Sequence, residues 1–507
     1  MARSGYVTHL FRTLFFLVCA WVLSACDGLD SDKNTVATER ASVGGGGLAR
    51  VQSRPCDYKV DWHYKIECGQ LLTADGFFKL PYVVIKNQSS THYEAPLLYL
   101  AGGPGGSGNL QQEGIQHWLA WFDRANIERD LVLIDRRGTG GSKPLQRCKQ
   151  YWSFSREILS RNMSLEEELQ QGGAVLKECL AGGQKSKFNS DHYGSDISAA
   201  DMYALMQALD YSRWNIYGVS YGTRLALHLL KGAEADKIDS VILDSLYPAG
   251  QGSLDEWPAL LHEATQALYA GCDQFVDCGG SAPHLENQLL LALGKLKQQP
   301  LKFSLPSWHG EAPFNIVLND HRFLSMIFSS LYDRTTLMKI PAAIQGVLTG
   351  NRKSIKALLT PFINYAFDPE FNPLVFFTLE CRESPPSSLE SYASEVAKYP
   401  TFAAYTVDLA KYDICPQINL TPAEPLAQLD PNALKHPVLL LAGALDPITP
   451  AKWAQQMAAR QASVTLAVFP EVGHSVVGSN DCAHGLLAPF LAGKLTPNQV
   501  QNCHSVH

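Results

Sequence analysis

Basic residues are not in excess in this chain, where 42 Lys and Arg stand against 49 Asp and Glu for a formal net charge of -7. No arginine-rich run or basic stripe offers a track for phosphates, which excludes nucleic acid as a partner. No Cys-x-x-Cys and no His-Cys cluster occurs, so no metal site is expected. Fixed-period repeats and long low-complexity tracts are missing too, which argues against a solenoid. The run Asp135-Arg136-Arg137-Gly138-Thr139-Gly140-Gly141-Ser142 lacks the Lys-Ser or Lys-Thr pair that opens a helix in a phosphate cradle. It reads as a structural turn after the strand Leu131 to Ile134, and no cofactor is expected.

Long apolar runs are scarce. The stretch Leu14 to Leu23, preceded by Arg3 and Arg12, is too short to span a bilayer comfortably and is followed by Ser24-Ala25-Cys26. That pattern is a secretory signal. Leu23-Ser24-Ala25-Cys26 also resembles the bacterial lipobox, in which the cysteine is lipidated and becomes the mature N-terminus. Asp27 after it resembles a signal for retention at the inner membrane. The expected location is therefore the bacterial cell envelope, lipid-anchored through Cys26 and facing the periplasm, with residues 1–25 as signal and 26–50, including Gly44 to Gly47, as a flexible tether.

With 507 residues, 46% of them hydrophobic, the chain exceeds the usual single-domain size and can bury a large core. Its most informative segment is Trp214 to Leu227. An apolar run there feeds Gly218-Val219-Ser220-Tyr221-Gly222, and a helical pattern follows at once. This is a nucleophile elbow, a sharp strand-to-helix turn that lifts a serine Oγ clear of the sheet. Downstream, the segment Pro437 to Pro450 reads as a buried parallel strand, five apolar residues without alternation, ending in a loop that carries Asp446. A second strand, Val464 to Phe469, leads into a loop with His474. Ser220, Asp446 and His474 thus form a candidate nucleophile, acid and base set in the chain order Ser, Asp, His. Asp244, at the end of the strand Val241 to Asp244, is the alternative acid; its other reading is a polar group closing a buried strand.

An oxyanion site needs bare backbone N–H groups, and the glycine-rich loop Gly102-Gly103-Pro104-Gly105-Gly106 follows the strand-like run Leu97 to Leu100. The expected donors are the amides of Gly103 and of Tyr221, the residue after the nucleophile; Pro104 cannot donate.

Ala101-Gly102-Gly103-Pro104-Gly105-Gly106, Asp135 to Ser142 and Gly218-Val219-Ser220-Tyr221-Gly222-Thr223, in that order, resemble the proline iminopeptidase and tripeptidyl aminopeptidase family of α/β-hydrolase serine peptidases. Ala101 departs from the histidine that many relatives carry there. The resemblance implies an α/β fold of the α/β-hydrolase type, a mostly parallel sheet flanked by helices with a large, mainly helical lid. The core is expected at 51–250 and 431–507, the latter carrying Asp446 and His474, and the lid at 251–430. The implied activity is an aminopeptidase that releases a proline-type residue or short peptide from a peptide with a free N-terminus, through an acyl-serine. A carboxylesterase and a non-catalytic binding lipoprotein are the alternatives. A buried substrate ammonium needs a carboxylate. The lid segment Phe376 to Glu383 resembles the stretch that relatives use there, with Glu383 preferred over Glu380.

Setting aside Cys19 in the signal and Cys26, ten cysteines remain, an even number suited to an oxidising compartment. Sequence leaves their pairing open. They fall into five neighbouring pairs, expected as bridges: Cys56 with Cys68, Cys148 with Cys179, Cys272 with Cys278, Cys381 with Cys415 and Cys482 with Cys503.

Overall fold

The computed structural model describes residues 40–504 except 45–46, 61–62, 88–93, 181–187, 249, 253, 273, 275, 279–283, 308–312, 385–387, 419 and 424–433. The signal, Cys26 and most of the expected tether lie outside the described residues.

Ten strands form one sheet: β1 (Arg40–Gly44), β2 (Gly47–Arg54), β3 (Lys65–Leu72), β4 (Lys79–Lys86), β5 (Leu97–Leu100), β6 (Leu131–Ile134), β7 (Trp214–Val219), β8 (Ile238–Asp244), β11 (Val438–Gly443) and β12 (Val464–Phe469). The remaining two, β9 (Leu301–Leu305) and β10 (Phe314–Leu318), form a separate antiparallel hairpin. The spatial order of the large sheet is β1-β2-β3-β4-β6-β5-β7-β8-β11-β12. From β6 to β12 every pairing is parallel, while β1 to β4 and the β4/β6 pair are antiparallel. The inner parallel strands β5, β6, β7 and β11 are covered on both faces, which is why they read as apolar runs, while the edge strand β12 is only partly covered. Leu97 and Tyr99 of β5 face one apolar cluster, and Leu98 and Leu100 face the other.

The tether expected up to residue 50 ends earlier. Arg40–Gly44 pairs with Val51 to Gly47, and β2 in turn pairs with β3, so residues 40–44 and 47–50 extend the sheet. The backbone of β3 offers β2 a ladder of partners, and Gly44 opposite Gly47 marks a hairpin rather than a linker.

Helix α1 (Gln112–Ala125) lies between β5 and β6, α2 (Lys149–Leu159), α3 (Leu165–Leu180) and α4 (Ser195–Ala208) between β6 and β7, and α5 (Tyr221–Lys231) between β7 and β8. Between β8 and β11 lies the cap: α6 (Trp257–Ala270), α7 (Leu285–Gln298), the β9/β10 hairpin, then α8 (Asp320–Ser330), α9 (Arg334–Leu337), α10 (Ile340–Thr349), α11 (Arg352–Ala366), α12 (Pro373–Glu383), α13 (Leu389–Lys398) and α14 (Ala403–Thr406). After β11 come α15 (Ala451–Ala458) and, past β12, α16 (Val476–Ser479). The cap is mainly helical as expected, with one added hairpin.

The core span expected at 51–250 includes α2 and α3, but they pack on the cap. Buried Arg322 of α8 donates to Glu168 of α3 at 2.9 Å and to the carbonyls of Leu159 and Ile158 at 3.0 and 2.8 Å. A guanidinium with five donors ties off the end of α2 and one carboxylate together, an arrangement no local pattern announces.

All five expected disulfides are present. Cys56 and Cys68 join the start of the core to β3, with Cα atoms 5.3 Å apart. Cys148 and Cys179 tie the residue before α2 to the end of α3, at 5.7 Å. Cys272 and Cys278 close the short loop after α6, at 5.4 Å. Cys381 of α12 bonds to Cys415 within the cap, at 5.0 Å. Cys482 and Cys503 hold the C-terminal helix, Pro497–His504, to the segment after the histidine loop, at 5.5 Å. Among the described residues no helix is long and apolar enough to cross a membrane.

Candidate active site

Ser220 stands between β7 and α5 with φ +53° and ψ -121°, a backbone conformation that non-glycine residues rarely adopt. Its glycine neighbours are required for space. A Cβ on Gly218 would lie 2.5 Å from the Gly222 carbonyl oxygen, and one on Gly222 would lie 2.0 Å from that of Leu100. The turn is held by the amide of Ser220 donating to the carbonyl of Asp244 at 2.9 Å and by the amide of Thr223 donating to the Ser220 carbonyl at 2.8 Å.

Asp446 and His474 follow β11 and β12, and His474 Nδ1 lies 2.8 Å from Asp446 Oδ2. The carboxylate also accepts from the Thr449 hydroxyl at 2.7 Å and from the amides of Ile448 and Thr449 at 3.0 and 2.8 Å. Burial works against its ionisation, but the His474 charge and hydrogen bond, together with Thr449, outweigh burial and hold the carboxyl below its ordinary value. Asp244 does not reach this pair through its carboxylate, which accepts from the amides of Val476 and Val477 instead. The alternative acid is thereby set aside.

Ser220, Asp446 and His474 are all buried. The cap is the reason. The amide of His474 donates to the carbonyl of Tyr332, just past α8, at 3.0 Å, and the two rings lie 5.1 Å apart. Thr449 and Tyr332 were missed by the sequence reading. The first had a signal in the spacing Asp446-Pro447-Ile448-Thr449, a side-chain turn pattern; the second had none.

The glycine-rich loop turns tightly. Gly103 has φ +113°, and a Cβ there would meet the amide nitrogens of Gly105 and Gly106 at 2.8 Å. Arg136, buried, donates to the carbonyls of Ala101 and Gly102 at 2.8 and 3.1 Å, which draws the loop's acceptors to one side. Tyr221 is the first residue of α5, where the helix offers its amide no intrahelical acceptor. The turn Asp135 to Ser142 is structural, as expected: Asp135 accepts from the amides of Gly108 and Gly141 at 2.7 and 2.8 Å, and Arg137 pairs with Asp201 at 2.6 Å.

α12 lies against both the glycine-rich loop and α5. At its start Asn372 donates its amide to the Gly105 carbonyl at 2.9 Å and its side chain to that of Gly138 at 2.8 Å. At its end the two acids part company. Glu383 accepts from the Ser195 amide and hydroxyl at 2.7 and 2.8 Å, so both its oxygens hold the start of α4. Glu380 accepts from the Tyr247 hydroxyl at 3.1 Å, and burial pushes its carboxyl up to about 7 against the pull of Arg224. Ser195 thus engages both oxygens of Glu383, whereas the Tyr247 hydroxyl engages one oxygen of Glu380. Among the described residues no group of three or more His, Cys, Asp or Glu could hold a metal ion.

Residues 95–277 match the family model described as alpha/beta hydrolase fold, and residues 399–503 match the model described as TAP-like protein. The chain thus has the α/β-hydrolase fold, and residues 399–503 are similar to TAP-like proteins. Similar solved structures include the proline iminopeptidase of Mycobacterium smegmatis, with 14% identity, 83% of this chain and 96% of that chain covered, and a TM-score of 0.36. A thermophilic esterase from Thermogutta terrifontis has 12% identity, with 91% and 100% covered and a TM-score of 0.36. A proline iminopeptidase-related protein from Thermus thermophilus has 16% identity, with 86% and 100% covered and a TM-score of 0.34. No curated protein matches the chain.

Proposed function

We propose that the protein is a serine hydrolase acting as an aminopeptidase on peptides with a free N-terminus. The observation that carries the reading is the buried His474–Asp446 pair at 2.8 Å, on strand-end loops of the same sheet as the Ser220 elbow. In this mechanism His474 takes the Ser220 proton as Oγ attacks the acyl carbon, and Asp446 fixes the imidazole tautomer and stabilises the imidazolium. The amides of Gly103 and Tyr221 receive the oxyanion. The C–N bond then breaks, His474 returns its proton to the leaving amine, and water activated by His474 hydrolyses the acyl-serine. The buried site keeps bulk water from competing.

Peptidase action is supported by the TAP-like match over 399–503 and by Glu380, a carboxylate beside the nucleophile helix suited to a substrate ammonium. Capture of Glu383 by Ser195 favours the second reading, a carboxylesterase indifferent to a free amine. The sequence of residues 1–50 supports an exported, lipid-anchored enzyme in the cell envelope, with the lipid on Cys26.

A fluorophosphonate probe followed by peptide mapping is the test of chemistry, with label expected on Ser220 and lost in Ser220→Ala. Label elsewhere sinks the constellation, and none at all leaves a binding lipoprotein. Chromogenic peptides of one to four residues, free or blocked at the amino end, separate the substrate classes. Turnover of free peptides only supports the aminopeptidase; equal turnover of blocked peptides and simple esters moves the assignment to the esterase.

A further inference from the structure

β8 lies between the strand that carries the nucleophile and the strand that leads to the acid. Its last residue, Asp244, is fully buried, and its main chain and side chain face different loops. The Asp244 carbonyl accepts the amide of Ser220 at 2.9 Å. Its carboxylate reaches the histidine loop: Oδ1 accepts from Val476 N–H at 2.7 Å and Oδ2 from Val477 N–H at 3.0 Å, with the Tyr217 hydroxyl 3.2 Å from Oδ2. Ser245 completes the set. Its Oγ accepts from the Ser475 amide at 2.8 Å, and its own amide donates to the Leu441 carbonyl of β11 at 2.9 Å.

Three consecutive amides directly after His474 thus end on two side chains of one strand terminus. The loop needs such restraint, because Ser475 has φ +59°, where a non-glycine residue persists only when its surroundings over-determine it. Burying a carboxylate costs free energy, and the two amides with the Tyr217 hydroxyl offset that cost. An apolar residue at 244 would close the strand without any of this.

We propose that Asp244, assisted by Ser245, is a positioning residue that sets the backbone of His474 relative to Ser220, making the end of β8 the common anchor of the nucleophile and base loops. The inference rests on the Ser220 and His474 roles given under Proposed function. It assigns Asp244 no contact with substrate.

The test uses the full-length protein with Asp244→Asn and Ser245→Gly. Asparagine turns one acceptor into a donor facing an amide N–H, and glycine removes the hydroxyl while accepting the φ of +59° at position 245. Displacement of a reacting group by about 1 Å costs on the order of 100-fold in rate. For Asp244→Asn the expected result is a kcat on p-nitrophenyl butyrate lowered about 10- to 100-fold, with KM unchanged, the labelling rate of Ser220 by fluorophosphonate lowered in the same ratio, and a smaller fall for Ser245→Gly. Should Asp244→Asn not fold, the labelling rate of Ser245→Gly decides alone. Wild-type kcat and labelling rate in folded variants overturn the proposal, and so does a loss of rate that only follows the unfolded fraction on a thermal melt. A wild-type protein whose Ser220 takes no label brings down the parent reading instead, which separates the two failures.

Discussion

The backbone of Gly473 meets the carbonyl of Leu331 so closely that a Cβ on the glycine would lie 1.8 Å from that oxygen. One residue on, the His474 amide donates to the Tyr332 carbonyl at 3.0 Å. The histidine loop is therefore seated against the turn after α8, and the cap contributes backbone to the site it covers.

Gly473→Ala should separate that turn from the loop. The added methyl has backbone on one side and no flexible side chain to push away, so the loop or α8 must shift. The expected outcome is a loss of about 100-fold in kcat/KM with a folded core, checked by steady-state kinetics beside circular dichroism. Activity near that of the wild type would show that the contact yields without consequence.

Asp446→Asn should be severe but leaky. The Thr449 hydroxyl and two backbone amides keep the side chain in place, while the asparagine amide can turn its donor toward the imidazole and favour the wrong tautomer. A fall of about 1,000- to 10,000-fold in kcat with little change in KM is expected. His474→Ala and Ser220→Ala should leave no measurable turnover.

On the aminopeptidase reading, Glu380 should make binding of a substrate ammonium depend on pH. Its carboxyl is pushed up to about 7 by burial, so as pH rises through that value the charged form appears and KM for free-amine peptides should fall. Glu380→Gln should remove this dependence and raise KM about 10- to 100-fold, the value of a charge-assisted hydrogen bond, while sparing blocked esters. For stability the sign is opposite to that of a salt-bridged acid. Between the ordinary 4.5 and about 7 the folded state binds this proton more tightly than the unfolded chain, so this group's contribution falls as pH rises through that window. Melting curves from pH 4 to 8 should show Glu380→Gln flattening the decline. A KM profile identical to that of the wild type would remove Glu380 from amine recognition.

Loss of the Cys381–Cys415 bridge should affect the site before the core. The bridge closes a sequence separation of 34 residues and staples the end of α12, the helix that carries Glu380 and rests on Gly105 at its start. Paired serine substitutions are expected to cost about 3 to 4 kcal/mol. Activity should then decline at temperatures where the far-ultraviolet signal of the sheet is still native. Coincident loss of both signals would show that the cap and core melt as one unit.

Local pattern alone determined much of this protein. The limits of β6 and β12, the apolar runs of β5, β7 and β11, the Gly-x-Ser-x-Gly turn and the loops carrying Asp446 and His474 were all legible, because parallel strands buried on both faces leave continuous apolar runs and a strained turn demands particular residues. The ten cysteines fell into near neighbours that the fold joins, from Cys56 with Cys68 to Cys482 with Cys503. Tertiary structure decided the rest, since it depends on partners far away in the chain. Asp244 and Val476 are 232 residues apart, and Glu383 and Ser195 are 188 apart, so no window of sequence could tell that the first restrains the histidine loop or that the second is already occupied. The docking of α2 and α3 on the cap and the grip of Arg136 on the glycine-rich loop share that origin. Residue type sets what a side chain can bond to. Only the packed chain decides which of those bonds is left for a substrate.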